Sequence, residues 1–393
     1  MSHAPSDLPR IYLDNAATSW PKPAAVYETV DDFQRRLGAP AGRSGYTEAA
    51  EVSQRVEAAR RRIASLLGLA DPTHLIFTAN GTDSLNLVLH GLLRPGDHIV
   101  TTVAEHNSVL RPLADLAAAG VSATYVGCSS TGVVDPDDVR AALRTSTKLV
   151  AITHASNVTG ALQPVREIAA IAREARVRVL CDAAQTAGHQ PVDLHALGVD
   201  YLAASGHKGL LGPLGTGILA IRPGAAADLR SVRQGGTGTQ SERAEQPDDL
   251  PAKFESGNLN VLGILGLSAG VAYLVERGLT EVERHGHELC QRLLDGLEQI
   301  EGVRIYGPKT AVERVPLVSI RLAGYDPQEV ALALDAGHRI QVRPGLHCAP
   351  RMHQALATQA GGGTLRFSLG PFTTATEIDA AIAAIAELAG SQQ

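Results

Sequence analysis

The stretch Ser205-Gly-His-Lys-Gly-Leu-Leu-Gly-Pro-Leu-Gly-Thr-Gly217 places one lysine, Lys208, among five glycines. One apolar run, Tyr201-Leu-Ala-Ala204, leads into it and another, Ile218-Leu-Ala-Ile221, leads out. Short apolar runs bounded by glycine read as strands, so the lysine sits between two buried strands. Lysine is rarely buried unless it is paired or reacted, and glycine lets a backbone approach a bound group closely. Two readings follow: a surface lysine on a glycine-rich loop, or a desolvated amine ready to form a Schiff base with a carbonyl cofactor. Asp182 favours the second. It ends the strand-like run Val177-Arg-Val-Leu-Cys181 upstream of the lysine. Pyridoxal phosphate (PLP) needs that pair, a lysine for its aldehyde and a carboxylate for its ring nitrogen.

Around this stretch the pattern is α/β. Strand candidates at 75–78, 98–102, 121–126, 148–153, 177–181, 200–204 and 216–221 alternate with helical segments near 82–92, 107–119, 135–144 and 164–175. Such alternation predicts a mainly parallel sheet covered on both faces. Ligands of open α/β sheets sit beyond the carboxyl ends of the strands, and Asn157, Asp182 and Ser205 all fall just past strand ends. Before this region, a short strand Ile11-Tyr-Leu13 runs into the polar turn Asp14-Asn-Ala-Ala-Thr18, and helices follow over 23–36 and 47–67. Thr47, with Glu51 one residue off capping-box spacing, suggests a capped start to the second.

Residues 235–258 read as a long irregular loop, a feature usually functional or disordered. An apolar helix (259–277), a polar helix (280–300) and further segments at 302–306, 315–321, 327–336, 339–342, 364–369 and 376–388 complete a small α+β C-terminal domain. The expected division is an N-terminal segment (1–20) serving the active site or small domain, a large cofactor-binding domain (21–258), and a connecting helix with the small domain (259–393).

At 393 residues the chain is long enough for two cores. A net charge of −6 gives no sign of nucleic-acid or anionic-membrane binding. The first ten residues are polar, with no apolar core of a signal peptide, and the most apolar segment, 261–275, is too short to span a bilayer. Cys128, Cys181, Cys290 and Cys348 lie far apart with no metal-type spacing, which fits free thiols in a reducing cytoplasm.

Asp200-Tyr-Leu-Ala-Ala-Ser-Gly-His-Lys208 with Gly215-Thr-Gly-Ile-Leu219 resembles the lysine signature of class V aminotransferase-fold PLP enzymes, and Asp182-Ala-Ala-Gln185 resembles their ring-binding motif. The resemblance implies the fold-type I PLP-dependent transferase fold and a homodimer with shared active sites. Asn80-Gly-Thr-Asp83, between a strand and a helix, is either a plain N-cap or an anion cup; beside Lys208 and Asp182 it reads as a phosphate cup. Gly81 serves that cup through the free N–H groups of the helix start, and the resemblance gives phosphate roles to Thr82, Ser205 and His207, and to Thr237 reaching the phosphate of a partner subunit. It sets His106, in Ala104-Glu-His-Asn-Ser108, against the cofactor ring as stacker and acid/base. Gln185 takes the phenolic oxygen, and Asn157 lies near that oxygen and the substrate carboxylate.

Val342-Arg-Pro-Gly-Leu-His-Cys-Ala-Pro350 carries the second signal. By itself Cys348 is a small buried hydrophobe or a nucleophile; His347, Arg343 and Arg351 nearby favour the thiolate. The loop is similar to that of the cysteine desulfurases with a short active-site loop, which carry Arg-x-Gly-His-His-Cys-Ala here; this chain has Leu346 in place of the first histidine. Arg366, on an apolar strand pattern, is either half of an internal salt bridge or, as the resemblance implies, the clamp for the substrate carboxylate. Arg343 and Asn15 join it as substrate-binding residues.

The expected reaction converts L-cysteine to L-alanine and leaves a persulfide on Cys348, for transfer to a sulfur-acceptor protein. Rival chemistries on the same scaffold are a C–S lyase, a selenocysteine lyase, an epimerase or a kynureninase-like hydrolase; Cys348 discriminates, since a lyase or an epimerase needs no thiol nucleophile. A catalytically idle PLP-fold partner protein is the rival from another class.

Overall fold

The structure, a computed structural model, describes residues 9–42 and 44–391, so most of the polar N-terminal stretch lies outside it. The chain begins with β1 (Ile11–Tyr12), α1 (Ala24–Asp32) and α2 (Thr47–Leu66). Strands and helices then alternate: β2 (Leu75–Thr78), α3 (Gly81–Leu92), β3 (His98–Thr102), α4 (Asn107–Ala118), β4 (Ser122–Val126), α5 (Pro136–Ala142) and β5 (Thr147–Thr153). α6 (Val165–Glu174), β6 (Arg178–Asp182), α7 (Leu194–Leu197), β7 (Tyr201–Ser205) and β8 (Gly217–Ile221) follow. These strands form a seven-stranded sheet in the order β2-β8-β7-β6-β5-β3-β4. Only β8 runs opposite to the other six strands, antiparallel to both β2 and β7. β3 to β7 are parallel, as right-handed helical crossovers produce. β6 and β7 are buried along almost their whole length, which is why they read as near-continuous apolar runs rather than alternating ones.

The loop between β8 and α8 (Val261–Arg277) contains no strand and no helix longer than one 3-10 turn. Glu255 pins it to the sheet: its carboxylate takes two hydrogen bonds from the fully buried Arg60 of α2, at 2.7 and 2.9 Å, and one from the Phe77 amide at 2.7 Å. α9 (Leu279–Glu298) precedes β9 (Val303–Tyr306), β10 (Leu317–Leu322), α10 (Pro327–His338), β11 (Ile340–Gln341), β12 (Arg343–Gly345), α11 (Pro350–Ala355), β13 (Thr364–Ser368) and α12 (Ala375–Gly390). Four of these strands make an antiparallel sheet, β12-β13-β10-β9, over a core of its own that includes Leu293, Val318, Phe367 and Ile385. β1 pairs in parallel with β11, and Asp14 bridges to Ser368. The N-terminal segment is thus stitched to the C-terminal sheet.

Three local expectations are corrected. Thr47 is the first residue of α2 and caps nothing; Tyr46 holds the cap position without a side-chain bond. The strand expected over 339–342 is only the two-residue β11, because the chain then leaves β1 and pairs with β13 from Arg343 onward as β12. The helix expected over 23–36 loosens into a π-helical turn at Phe33–Leu37, closed by left-handed Gly38. Among the described residues no single helix is long and apolar enough to cross a membrane.

Candidate active site

The carboxyl edge of the parallel sheet meets the C-terminal sheet around a cavity of about 310 Å3. Asp182 enters it from the end of β6, Ser205 from the end of β7, and Lys208 from the loop between β7 and β8. Gly81, Thr82, His106, Asn157, Gln185 and His207 also line it, as do Arg343 and Arg366 from the smaller sheet.

Lys208 is drawn down to about 8, chiefly by burial; Asp182 opposes the shift, and Arg366 and Arg343 reinforce it. Near neutral pH about a tenth of this amine is unprotonated and nucleophilic, several hundredfold more than for an ordinary lysine. Its loop is tied to the N-terminal segment: the His207 carbonyl accepts from the Ser19 amide at 3.0 Å and the Lys22 ammonium at 2.9 Å, while Ser19 Oγ donates to the Lys208 carbonyl at 2.8 Å. Asp182 is raised by burial against the pull of the Ala184 amide, which donates to Oδ1 at 2.9 Å, and of Lys208. A cation placed beside it would restore its charge.

α3 starts at the cavity wall. Asn80 caps it, accepting the Asp83 amide at 2.9 Å, which leaves the Gly81 and Thr82 amides for an anion. Residue 81 must be glycine: a Cβ there would lie 2.6 Å from Ser205 Oγ. His207 Nδ1 is buried with no partner.

His106 is the N-cap of α4, and its Nδ1 accepts the Ser108 amide at 3.0 Å. With Nδ1 occupied as an acceptor, the neutral ring carries its proton on Nε2. Burial, aided by Lys208, draws His106 down to about 4, so the ring is neutral. Ser108 Oγ lies 2.8 Å from His106 Nδ1 and 2.7 Å from Thr82 Oγ1, a hydroxyl relay from the α3 terminus to the imidazole.

Arg366 is fully buried and has two protein partners, Asp14 Oδ1 at 2.9 Å and the Asn157 carbonyl at 3.0 Å; its Nε has none. Arg343 stands directly opposite it across β12 and β13. Like charges in register repel, so two guanidiniums at a cavity wall, with one carboxylate between them and that one on Arg366, invite a second anion.

Cys348 does not line this cavity. It faces an adjoining one of about 500 Å3, whose wall includes His106, Ser108, Thr82 and Arg111. Arg343 Nη2 lies 3.5 Å from Cys348 Sγ and so connects the two spaces. His347 and Cys348 both adopt left-handed φ, +47° and +59°, a conformation non-glycine residues avoid. Two bonds hold it: the Asn107 amide donates to the Cys348 carbonyl at 2.7 Å, and Asn157 Nδ2 to the His347 carbonyl at 2.5 Å.

The expected electrostatic help for the thiolate is corrected for two residues. His347 is buried against Thr364 Oγ1, at 3.0 Å, and burial keeps it neutral. Arg351 stacks on Tyr125, 3.7 Å from the ring centroid. Only Arg343 reaches the sulfur. Asn15 does not reach the cavity either: its Nδ2 donates to the Ser368 carbonyl at 3.1 Å and its Oδ1 accepts the Trp20 amide at 3.2 Å, so it braces the N-terminal turn. Gln185 lines the cavity, its Nε2 bonded to the Ala16 carbonyl at 3.2 Å. Thr237 lies on the exposed loop, bonded to Thr239, and does not line this chain's own cavity.

Sequence reasoning missed Asp14, Ser108 and Glu105. The last two flank His106 within one motif, where only the histidine carries an obvious signal. Glu105 is wholly buried, accepts from Thr102 Oγ1 at 2.7 Å and the Thr153 amide at 3.0 Å, and is raised to about 8 by burial.

A lysine and an aspartate at the carboxyl edge of a mainly parallel sheet, closed over by a second small sheet, define the class. The chain belongs to the aminotransferase class-V family, whose profile matches residues 11–381. It is 35% identical to a probable cysteine desulfurase of Methanothermobacter thermautotrophicus, over 97% of this chain and 95% of that one. A cysteine desulfurase of Yersinia pseudotuberculosis is 33% identical over 98% and 95%. Of solved structures, the apo cysteine desulfurase of Thermococcus onnurineus superposes with a TM-score of 0.91 at 34% identity, covering 97% of this chain and 95% of that one. A cysteine desulfurase of Escherichia coli superposes at 0.86 and 29%, over 97% and 94%. The expected fold class and family are borne out.

Proposed function

We propose that this protein is a PLP-dependent cysteine desulfurase. The carrying observation is the placement of Arg343, opposite Arg366 on the neighbouring strand and 3.5 Å from Cys348 Sγ. It couples a carboxylate-binding pair to a thiol, which a lyase or an epimerase does not need.

The residues fit the cofactor. The amine lowered to about 8, the buried aspartate, the free amides of Gly81 and Thr82 and the unpartnered His207 Nδ1 match an aldehyde, a ring nitrogen and a phosphate in turn. Lys208 would hold PLP through Nζ, Asp182 through the ring nitrogen, and Gln185 through the phenolic oxygen. Thr82, Ser205 and His207 would hold the phosphate, with the His106 ring on the cofactor's face. Bound there, PLP supplies a sink for the electron pair released at the substrate α-carbon.

The chain's own groups do the rest. Arg366, Arg343 and Asn157 hold the substrate carboxylate, which fixes the orientation of the α-proton and the sulfur. Lys208 Nζ, whose neutral form is made accessible by a pKa lowered to about 8, takes the α-proton and returns it. His106 can donate only from Nε2. The Cys348 thiolate attacks the substrate sulfur: an S–S bond forms, the substrate's carbon–sulfur bond breaks with its pair going to carbon, and a proton delivered there gives L-alanine.

Two supporting readings accompany this. A second copy of the chain would cover the exposed Trp20, Tyr27 and Leu214 beside the lysine loop and bring its Thr237 to the phosphate. A reducing compartment such as the cytoplasm suits four cysteines that are all free, and the persulfide would pass to an acceptor protein.

Product analysis with L-cysteine tests the function. Wild type should yield alanine, with turnover dependent on a reductant or thiol acceptor, and Cys348→Ser should bind L-cysteine but yield no alanine. Pyruvate as the product, or full activity in Cys348→Ser, would make the protein a C–S lyase.

A further inference from the structure

The opposite end of the seven-stranded sheet carries a larger cavity, of about 650 Å3. It lies where β5 and β6 begin, so each strand runs from this cavity towards the catalytic one. β6 starts here with Arg178 and ends there with Asp182, a span of roughly 13 Å at the usual rise per residue.

Six cations line it: Arg94, Lys148, Arg173, Arg176, Arg178 and Arg222; the carboxylates are Asp97, Asp200 and Asp228. The excess is three positive charges, in a chain whose net charge is −6. The carboxylates are already engaged. Asp200 accepts from Arg178 at 2.8 Å, from Arg222, and from the Val179 amide at 2.9 Å. Asp228 pairs with Arg178 at 2.6 Å, and Asp97 accepts the Arg94 amide at 2.8 Å. The guanidinium of Arg94 bonds only to the carbonyls of Leu93 and Gly91, and that of Arg173 only to the Gly198 carbonyl. Among the described residues, Arg94, Lys148, Arg173 and Arg176 make no salt bridge, Arg94 having only the longer-range attraction of Asp97.

The geometry points to a binding site for a short polyphosphate chain, an anion with two or more linked phosphoryl groups. Guanidinium forks match phosphate oxygens bidentately, and such pairs are the strong charge-assisted ones. The cavity has about twice the volume of the catalytic one, room for more than a single phosphate. No aromatic side chain lines it, so a nucleobase would find no stacking surface and the phosphates carry recognition. A bound chain joins Lys148 of β5 to Arg173 of α6 and Arg176 just beyond it. It therefore stabilises the sheet without competing for the catalytic cavity.

The test uses holoprotein, whose phosphate cup in the catalytic cavity is already filled. Thermal midpoints are read with inorganic tripolyphosphate, ATP, orthophosphate and sulfate at matched ionic strength, with the cofactor's visible absorbance as a monitor. Saturating tripolyphosphate should raise the midpoint by about 3 °C, and ATP should do no better. Orthophosphate and sulfate should give less than a third of that rise. Lys148→Gln with Arg176→Gln, both at exposed side chains, should weaken tripolyphosphate at least about tenfold and leave desulfurase turnover unchanged. Each single variant should show a part of the loss if the double variant is poorly folded. An equal rise with sulfate, a rise with ATP alone, retention of the effect in the variants, or loss of cofactor absorbance on adding tripolyphosphate would each overturn the site. None of these outcomes depends on which reaction the catalytic cavity performs.

Discussion

Asp14 and Arg366 are 352 positions apart in the chain, yet their side chains meet at 2.9 Å, and the aspartate decides how the arginine presents itself. Its carboxylate fixes one edge of the guanidinium and leaves Nε unpartnered. Asp14→Asn should keep the hydrogen bond and lose the charge, so Arg366 orients less firmly. We expect KM for L-cysteine to rise about tenfold with kcat little changed, the pattern of lost uniform binding. Steady-state kinetics check this; an unchanged KM would make Asp14 a purely structural partner. Asp182→Asn tests the other carboxylate. A neutral amide cannot keep the ring nitrogen protonated, so turnover should fall at least about a hundredfold while PLP is still retained, seen as visible absorbance without product. Near-normal turnover in a folded variant would remove Asp182 from the proposed role. The two aspartates differ in legibility. Asp182 was readable because it ends a buried strand just ahead of Lys208. Asp14 was quoted only as part of a polar turn, since its partner comes from the far end of the chain.

At the scale of elements, the cavity is a meeting of chain ends: the α3 and α4 N-termini, the ends of β6 and β7, and the β12–β13 pair. The α3 terminus works only because residue 81 lacks a side chain. Gly81→Ala should push Ser205 away and weaken PLP binding at least about tenfold, with the fold intact by circular dichroism; unchanged affinity would remove the phosphate cup from this helix. Strand and helix order in the large sheet was legible because the strands are short, mostly buried runs bounded by turn residues, with only the edge strand β4 partly exposed along most of its length. The Cys348 loop was less so. That His347 turns inward and is neutral, while Arg343 alone reaches the sulfur, depends on the left-handed pair at 347–348 and on the change of partner between Gln341 and Arg343. α11 is six residues long and too short for any helical period to show.

For the whole molecule, buried histidines set the response to acid. His154, His189 and His353 are drawn down to about 4 by burial, and His347 is drawn well below its ordinary value. Between about pH 6.5 and 4 the unfolded chain binds protons at these sites that the folded chain refuses. Stability present above 6.5 is therefore lost as pH falls through that window, by about 1.4 kcal/mol per pH unit per histidine. Glu105, raised to about 8, acts in the opposite sense: its contribution is present at low pH and lost as pH rises towards 8. His106 and His207, also drawn down to about 4, add to the histidines, and Asp182 and Glu255, raised by burial, act with Glu105; the more numerous histidines prevail. The thermal midpoint of the apoprotein should thus fall with increasing steepness below pH 6.5, and a flat profile from pH 8 to 5 would contradict the buried, neutral histidines.

The most direct measurement of the central proposal is the mass of the Cys348 peptide after holoprotein meets L-cysteine without reductant. One added sulfur atom on Cys348, with one alanine released per site, is the result a desulfurase gives. An unmodified Cys348 peptide alongside pyruvate and free sulfide would contradict it and leave the thiol a bystander at the edge of the cavity.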